Sequence, residues 1–435
     1  MAGNHQSQPC PCRQECVWCN TCTSPKEECM AGAELTHVLD GYKVLDFTQV
    51  LAGPTVTRLM AEMGAEIIKV ELAPSGDLSR ALPFLKDGRS AYFIQQNRGK
   101  KSLCLDAKNP KGLEILKSLV EKVDVLVENY APGTIGRLGL DYETVKQTNP
   151  RLVMCSVSAF GQTGPLSNRP GYDYIAQAYS GVTHMIGEPE GPPYFPMLGV
   201  GDVSTGVHAV AAIACALLYR ERTGKGQYLD ISILDAYFHC HEMNVQMYSA
   251  SKGAIKPKRS GTQHYAICPI GLFKSKEAYL CIMALPHQWS ALCRAMGRPE
   301  LAEDPRFVDN AKRVENLPQV VQVIEDWLAS TPSDAEAMRL LEEARIPVAP
   351  ILSIEQAVNH PHLQYRRTVR RVTDRLFGEL DIPGMPLKFS EFPDDLPLQA
   401  PFLGEHNEAV LSQYLSYTPE QVHRLESEGV LKRAN

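Results

Sequence analysis

The sequence predicts an α/β fold: a Rossmann-like doubly wound parallel sheet in a large domain, with a smaller α+β domain beside it. Three observations carry this. Short apolar runs of strand length alternate with helical stretches over residues 41–226. The first strand, turn, helix and second strand fit within about thirty residues, the size of one βαβ unit. Past residue 250 the composition turns rich in Lys, Gly and Pro and the alternation changes character.

In chain order, residues 43–47 form the first apolar run, 48–53 a turn, 55–63 a helix stopped at Gly64, and 65–70 the second strand. Residues 101–105 read as a strand. An amphipathic helix over 110–122 follows, with Leu113, Leu116, Leu119 and Val120 on its apolar face. Strands over 123–127 and 152–157 are mostly apolar, as a sheet covered by helices on both faces requires. Residues 204–222 are helical and apolar nearly all round, so the helix must be buried on several sides. Gly224 suits the left-handed position past its end. A strand follows at 227–233, and Asp235 is placed to cap a helix through Met247. Residues 251–262 have linker composition, 270–273 and 279–283 pair as a hairpin, and helices follow at 288–296 and 317–329. Short strands at 368–372 and 378–382 precede a last helix at 408–415. The division expected is a disordered Cys-rich tail over 1–34, the N-terminal part of the large domain over 35–226, a linker over 227–260, the small domain over 261–347, and a return segment over 348–435 that completes the large domain.

A chain of 435 residues exceeds what one hydrophobic core usually organises, which agrees with two domains. The net charge of -6 argues against a nucleic-acid or anionic-membrane footprint. No apolar run approaches the ~20 residues of a membrane span, and no basic stretch followed by an apolar core opens the chain. A cytoplasmic enzyme without nucleic-acid or membrane partners is expected. Six of the thirteen cysteines, Cys10, Cys12, Cys16, Cys19, Cys22 and Cys29, fall in the first thirty residues. Cys16, Cys19 and Cys22 have metal-ligand spacing. No second well-spaced pair follows, and few aliphatic residues are present to pack around an ion, so a disordered tail and no metal site are expected. The other cysteines read as buried free thiols.

Three constellations carry chemistry. Residues 49–54 (Gln-Val-Leu-Ala-Gly-Pro) follow the first strand, where a turn and a helix N-terminus make either a phosphate cradle or a plain βα connection. The full G-x-G-x-x-G fingerprint of a nicotinamide enzyme is absent. Residues 128–133 (Glu-Asn-Tyr-Ala-Pro-Gly) follow another strand at the carboxyl end of the sheet. There Asn129 can bond an adenine or pantetheine amide, and Arg137 either pairs with a phosphate or is a surface helix residue. Gly201-Asp202 opens the long apolar helix, and Asp202, at or next to its N-cap, is either a capping residue or a reactive carboxylate. Asp173 supplies a second carboxylate on the turn after Arg169, as helper or as an independent cap.

Together these segments resemble the class III CoA-transferases, the family of formyl-CoA transferase and carnitine CoA-transferase. The matching stretches are 45–47 with 51–54, 64–71, 127–130, 161–165, 171–173, 201–202, 223–227 and 403–406, in that order. The resemblance implies an interlocked homodimer and Asp202 as nucleophile, with Asp173 as a candidate helper. It implies CoA contacts at Ala52, Leu105, Lys108, Asn129, Tyr130 and Arg137. It further implies an acyl-CoA and a small carboxylic acid as partners, with the CoA thioester as substrate and no permanently bound cofactor. The aspartyl chemistry fits the residue type, because a mixed anhydride or aspartyl thioester keeps the acyl group activated. Where some relatives carry an Arg that contacts the nucleotide, this chain has Leu72, and Lys69, Arg98 or Lys100 are candidates to compensate. Residues 260–264 are the nearest match to the family's Gly-rich loop. An α-methylacyl-CoA racemase shares the fold and is the alternative, with a non-catalytic CoA-binding protein as a further one. Racemases place a His before the Asp where this chain has Tyr172, a poor base near neutrality, so His184 or His208 would have to serve.

Overall fold

Six parallel strands form the centre of the molecule: β1 (Lys43–Asp46), β2 (Glu66–Leu72), β3 (Lys100–Leu105), β4 (Val125–Glu128), β5 (Val153–Ser158) and β6 (Gln227–Ser232). A computed structural model describes residues 35–394 and 396–434. The expected tail over 1–34, with its six cysteines, lies outside the described residues. The spatial order is β3-β2-β1-β4-β5-β6, and every pairing is parallel. The order reverses between β1 and β4, where a doubly wound sheet leaves a crevice at the carboxyl ends of its strands. Strand β6 lies in the segment read as a linker, which therefore supplies the edge of the main sheet.

The helices that matter below are α1 (Ala52–Glu62), α2 (Ala91–Asn97), α3 (Pro110–Val120), α4 (Asp173–Tyr179), α5 (Val200–Thr223) and α6 (Ile233–His239). On one face of the sheet α3 packs with the C-terminal helices Asn407–Leu415 and Pro419–Ser427, around Leu45, Leu103, Leu116, Leu126, Leu411 and Leu431. The C-terminal helices thus pack into the core on this face of the sheet. Their segment is also tied to β3, the His406 N–H donating to the Ser102 carbonyl at 3.0 Å and the Asp106 N–H to Val430 at 2.8 Å. On the other face α1 and α5, the latter through Ile213, cover Val44, Ile67, Val125 and Val153. Both faces are dry, which is why the strands read as apolar runs and not as alternating ones.

Two expectations are corrected here. Helix α5 is long and apolar enough, by length and composition, to cross a membrane, although no such run was expected. It is also not buried on several sides, since Val203, Val207, Leu218 and Tyr219 are exposed. The helix expected from Asp235 through Met247 is broken. Ser232 caps α6 by accepting the Asp235 N–H at 3.0 Å, and a separate helix runs Asn244–Ala250.

The small domain has its own core of Phe273, Leu280, Trp289, Phe307, Ile324 and Leu341. Its hairpin, Ile270–Lys274 with Tyr279–Met283, gains a third antiparallel strand at Val348–Pro350, just beyond the expected boundary.

Helices α1 and α5 cross closely at Gly206. A Cβ there would lie 2.7 Å from the Thr55 side chain and 3.1 Å from the Ala52 carbonyl oxygen. In an exposed helix Gly→Ala gains ~1 kcal/mol of propensity, whereas forcing a methyl into a packed contact costs about 1–3 kcal/mol. The backbone oxygen cannot yield, so packing decides. Gly206→Ala is expected to lower stability in urea and thermal melts; an unchanged midpoint would mean the α1/α5 contact is looser than described.

Candidate active site

Three βα junctions meet where the strand order reverses. Residues 49–52 follow β1, 129–131 follow β4 and 158–159 follow β5. With Tyr172 and Asp202 they enclose a cavity of about 240 Å³. A second cavity of about 240 Å³ adjoins it along Asn129, Tyr130, Ser158 and Tyr172 and reaches Ser167 and Arg169. Arg169 is the one cationic side chain among the described residues lining the two.

Asp202 is the third residue of α5, whose N-cap is Gly199. The reading of Asp202 as a cap is overturned: its backbone N–H is bonded, but its carboxylate accepts no hydrogen bond among the described residues. The capping is done from outside the helix. Asp173, buried as the first residue of α4, accepts the Asp202 N–H on Oδ2 at 2.8 Å and the Tyr237 hydroxyl on Oδ1 at 2.5 Å. Gln177 in turn donates to the Tyr237 oxygen at 3.1 Å. The phenol reaches Asp173 because position 201 is glycine: a Cβ there would stand 2.1 Å from the Tyr237 ring.

Burial, and then the charge of Asp173, push the Asp202 carboxyl up to about 7. A carboxylate with free lone pairs, no neutralising cation and a cavity in front of it can act chemically as a nucleophile or as a proton acceptor. Burial also raises Glu128, at the end of β4, to about 7; its Oε2 accepts the Tyr130 N–H at 2.8 Å. Tyr92 on α2, which the sequence reading passed over, is raised to about 12 by burial and by the charges of Asp202 and Asp77.

A profile of CoA-transferase family III matches residues 39–407. The succinyl-CoA:glutarate CoA-transferase of Mus musculus is 35% identical over 398 residues, covering 91% of this chain and 90% of that protein. The chain belongs to CoA-transferase family III. The succinyl-CoA:mesaconate CoA-transferase of Haloarcula hispanica is 38% identical over 86% of this chain and 96% of its own length. For the formyl-CoA:oxalate CoA-transferase of Streptomyces avermitilis the values are 35%, 91% and 100%. A crystal structure of a CAIB/BAIF family protein from Brucella suis superposes with a TM-score of 0.76 at 32% identity, covering 87% of this chain and all of that one. The protein is therefore a CoA-transferase, an enzyme whose substrates are CoA thioesters and carboxylic acids.

Of the residues expected at the site, this CoA-transferase brings Ala52, Asn129, Tyr130 and Asp202 to one cavity, with Asp173 directly behind it. The Asn129 amide is committed to the neighbouring loop: its Oδ1 accepts the Gln49 N–H at 2.8 Å and its Nδ2 donates to the Gln49 carbonyl at 2.9 Å. It fastens two βα loops together. Leu105, Lys108 and Arg137 do not line either cavity. Leu105 is fully buried in the core, its carbonyl taken by the Ala73 N–H, so its side chain offers no ligand surface. Lys108 and Arg137 are exposed. The candidates to compensate for Leu72 are corrected: Lys69, Arg98 and Lys100 are all buried in ion pairs, with Asp77, Glu62 and Asp46. Residues 260–264 line neither cavity, and the Gly261 N–H bonds the Gly187 carbonyl. Among the described residues no histidine lines the Asp202 cavity. His208 instead faces His239, Asp230 and Asp235 in a separate pocket.

Proposed function

We propose that this CoA-transferase moves CoA from an acyl-CoA to a small carboxylic acid through covalent intermediates on Asp202. The observation that carries the reading is the Asp202 carboxylate, unpartnered and raised in pKa at the switch point of the sheet. The carboxylate attacks the donor thioester carbonyl, expelling CoA thiolate and leaving a mixed anhydride. The thiolate returns to the aspartyl carbonyl, releasing the donor acid and leaving an aspartyl-CoA thioester. The acceptor carboxylate repeats the two steps in reverse, so neither ATP nor a permanent cofactor is consumed. Developing negative charge is met by backbone N–H groups: those of Leu51 and Ala52, at the start of α1, have no acceptor among the described residues and line the same cavity. Asp173 helps by fixing the Asp202 peptide. Arg137 and Lys108, exposed cations outside the cavity, suit the nucleotide phosphates, and Tyr130 and Ala52 the pantetheine end. The names of the relatives make succinyl-CoA the first donor to test. Incubation with succinyl-CoA and other acyl-CoAs, followed by hydroxylamine, should place a hydroxamate on Asp202 by peptide mass spectrometry. Rapid transfer with no adduct at Asp202 from any donor would end the reading.

A second copy of the chain is the proposed cover for the exposed apolar face of α5, with Val203, Val207 and Leu218, and for Ile175 and Phe238, exposed on the helices that contact it. Contiguous apolar surface of this kind marks an interface. Sedimentation should show a homodimer, and Val207→Glu with Leu218→Glu should give monomer. A wild-type monomer at micromolar concentration would refute it.

A further inference from the structure

Beneath the Asp202 cavity lies a buried ion pair that the transfer chemistry does not touch. Lys69 on β2 is fully buried, with Nζ 2.8 Å from Asp77 Oδ2, and it donates to the Thr48 carbonyl at 2.8 Å. Asp77 Oδ1 accepts the Val50 N–H at 3.2 Å and the Ser79 N–H at 2.8 Å. The pair thus grips the 48–50 turn at the carbonyl of one end and the amide of the other. Asp46 adds a third hold, accepting the Thr48 N–H at 2.8 Å, and is itself paired with Lys100 at 3.0 Å.

Between those holds Val50 has φ +67°. For a β-branched residue this is a strained conformation, costing about 1–3 kcal/mol and persisting only where the surroundings enforce it. The next residues, Leu51 and Ala52, carry the free N–H groups of the cavity, and the Leu51 side chain packs where a Cβ on Gly199, the N-cap of α5, would fall. The ionic attraction alone does not explain the pair, because a buried ion pair is often replaced by apolar residues at no loss; what this pair adds is partners for the Thr48 carbonyl and the Val50 N–H. Burial alone would lower Lys69 and raise Asp77. The neighbouring charges and hydrogen bonds outweigh it, holding Lys69 above its ordinary value and Asp77 at about 2, so both stay charged at neutral pH.

We propose that Lys69 and Asp77 are positioning residues for CoA transfer: the pair locks the 48–50 turn in its left-handed form and so fixes the Leu51 and Ala52 N–H groups beside Asp202. This rests on Asp202 being the acylated residue. In the sequence the turn reads as either a phosphate cradle or a plain βα connection, and Lys69 as one candidate to compensate for an absent arginine.

The test is the double variant Lys69→Met/Asp77→Leu, which exchanges the pair for apolar side chains. The expected result is a lower melting temperature, because the Thr48 carbonyl and the Val50 and Ser79 N–H groups lose their partners, with a KM for acyl-CoA within threefold. The kcat should fall by up to about 100- to 1,000-fold, the loss seen on removing an oxyanion donor. Wild-type kcat in a folded double variant would overturn the inference. If that variant fails to fold, the isosteric Asp77→Asn takes its place with the same split between kcat and KM, and an unchanged kcat there overturns it equally. Hydroxylamine trapping runs in parallel on the wild type. A missing Asp202 adduct removes the underlying reading, whereas a normal adduct with no kcat effect in the variant removes only the role of the pair.

Discussion

Asp202→Asn is expected to abolish CoA transfer, with a loss of at least about 10⁴-fold in kcat, comparable to removal of an essential member of a catalytic set. The amide is isosteric, so the cavity keeps its shape and the Asp202 N–H keeps its bond to Asp173. What disappears is the anionic nucleophile. The same substitution should leave the fold intact and, above neutrality, make it more stable. The carboxyl is raised in the folded protein from 3.8 to about 7, first by burial and then by Asp173. A raised acid favours the folded state fully below about pH 4. That contribution is lost as pH rises through 7, where the folded protein must hold a charge the unfolded chain carries freely. Asparagine never ionises. The variant should therefore melt at or above the wild-type temperature at pH 8, with the difference shrinking toward pH 5. Retained turnover in a variant verified by mass would sink the nucleophile assignment, and a lower melting temperature at pH 8 would show the carboxylate to be better solvated than its surroundings imply.

Much of this architecture was legible because it depends on local periodicity. The strands at 43–47, 65–70 and 101–105 and the helix over 110–122 fall within a few residues of their observed limits, since each is a continuous apolar run or a 3.6-residue stripe. Ile115 is buried and Leu113 only partly so, which one stripe could not decide. What could not be read is what depends on contacts distant in sequence. Asp173 and Tyr237 stand 64 positions apart, and no spacing rule joins them. The capping reading of Asp202 failed for the same reason, because the acceptor for its N–H comes from another element. Lys69 and Lys100 were candidates to reach a nucleotide only because the family's arginine is replaced by Leu72, and nothing in the sequence shows what each lysine meets. Here Asp46 and Asp77 lie in the same layer and keep them inside. The apolar side of α5 misled in the opposite sense: composition says that an apolar helix is covered, whereas Val203, Val207 and Leu218 are exposed.

Asp173→Asn should move the acid limb of kcat/KM to lower pH while reducing the plateau by about 10- to 100-fold. With Asp202 reacting as the carboxylate, as proposed above, the rate falls as pH drops through its pKa of about 7 in the free enzyme. Burial, the larger cause of that raised value, is unaffected by the substitution. The repulsion from the Asp173 charge is removed, and the pKa must fall. The loss on the plateau has a different origin. Asp173 accepts two hydrogen bonds, from the Asp202 N–H and the Tyr237 hydroxyl. Asparagine offers one oxygen, so its amide N–H₂ must confront one of those donors, leaving a buried polar group unsatisfied at a cost of about 1–3 kcal/mol. Glu128 is the rival owner of the limb, since burial raises it to about 7 as well. The two assignments separate cleanly: the charges acting on Glu128 include Asp230 and not Asp173, so a limb that belonged to Glu128 would stay where it is in Asp173→Asn. A plateau that fell while the limb remained fixed would assign the titration to Glu128 and leave Asp173 a purely geometric part in the site.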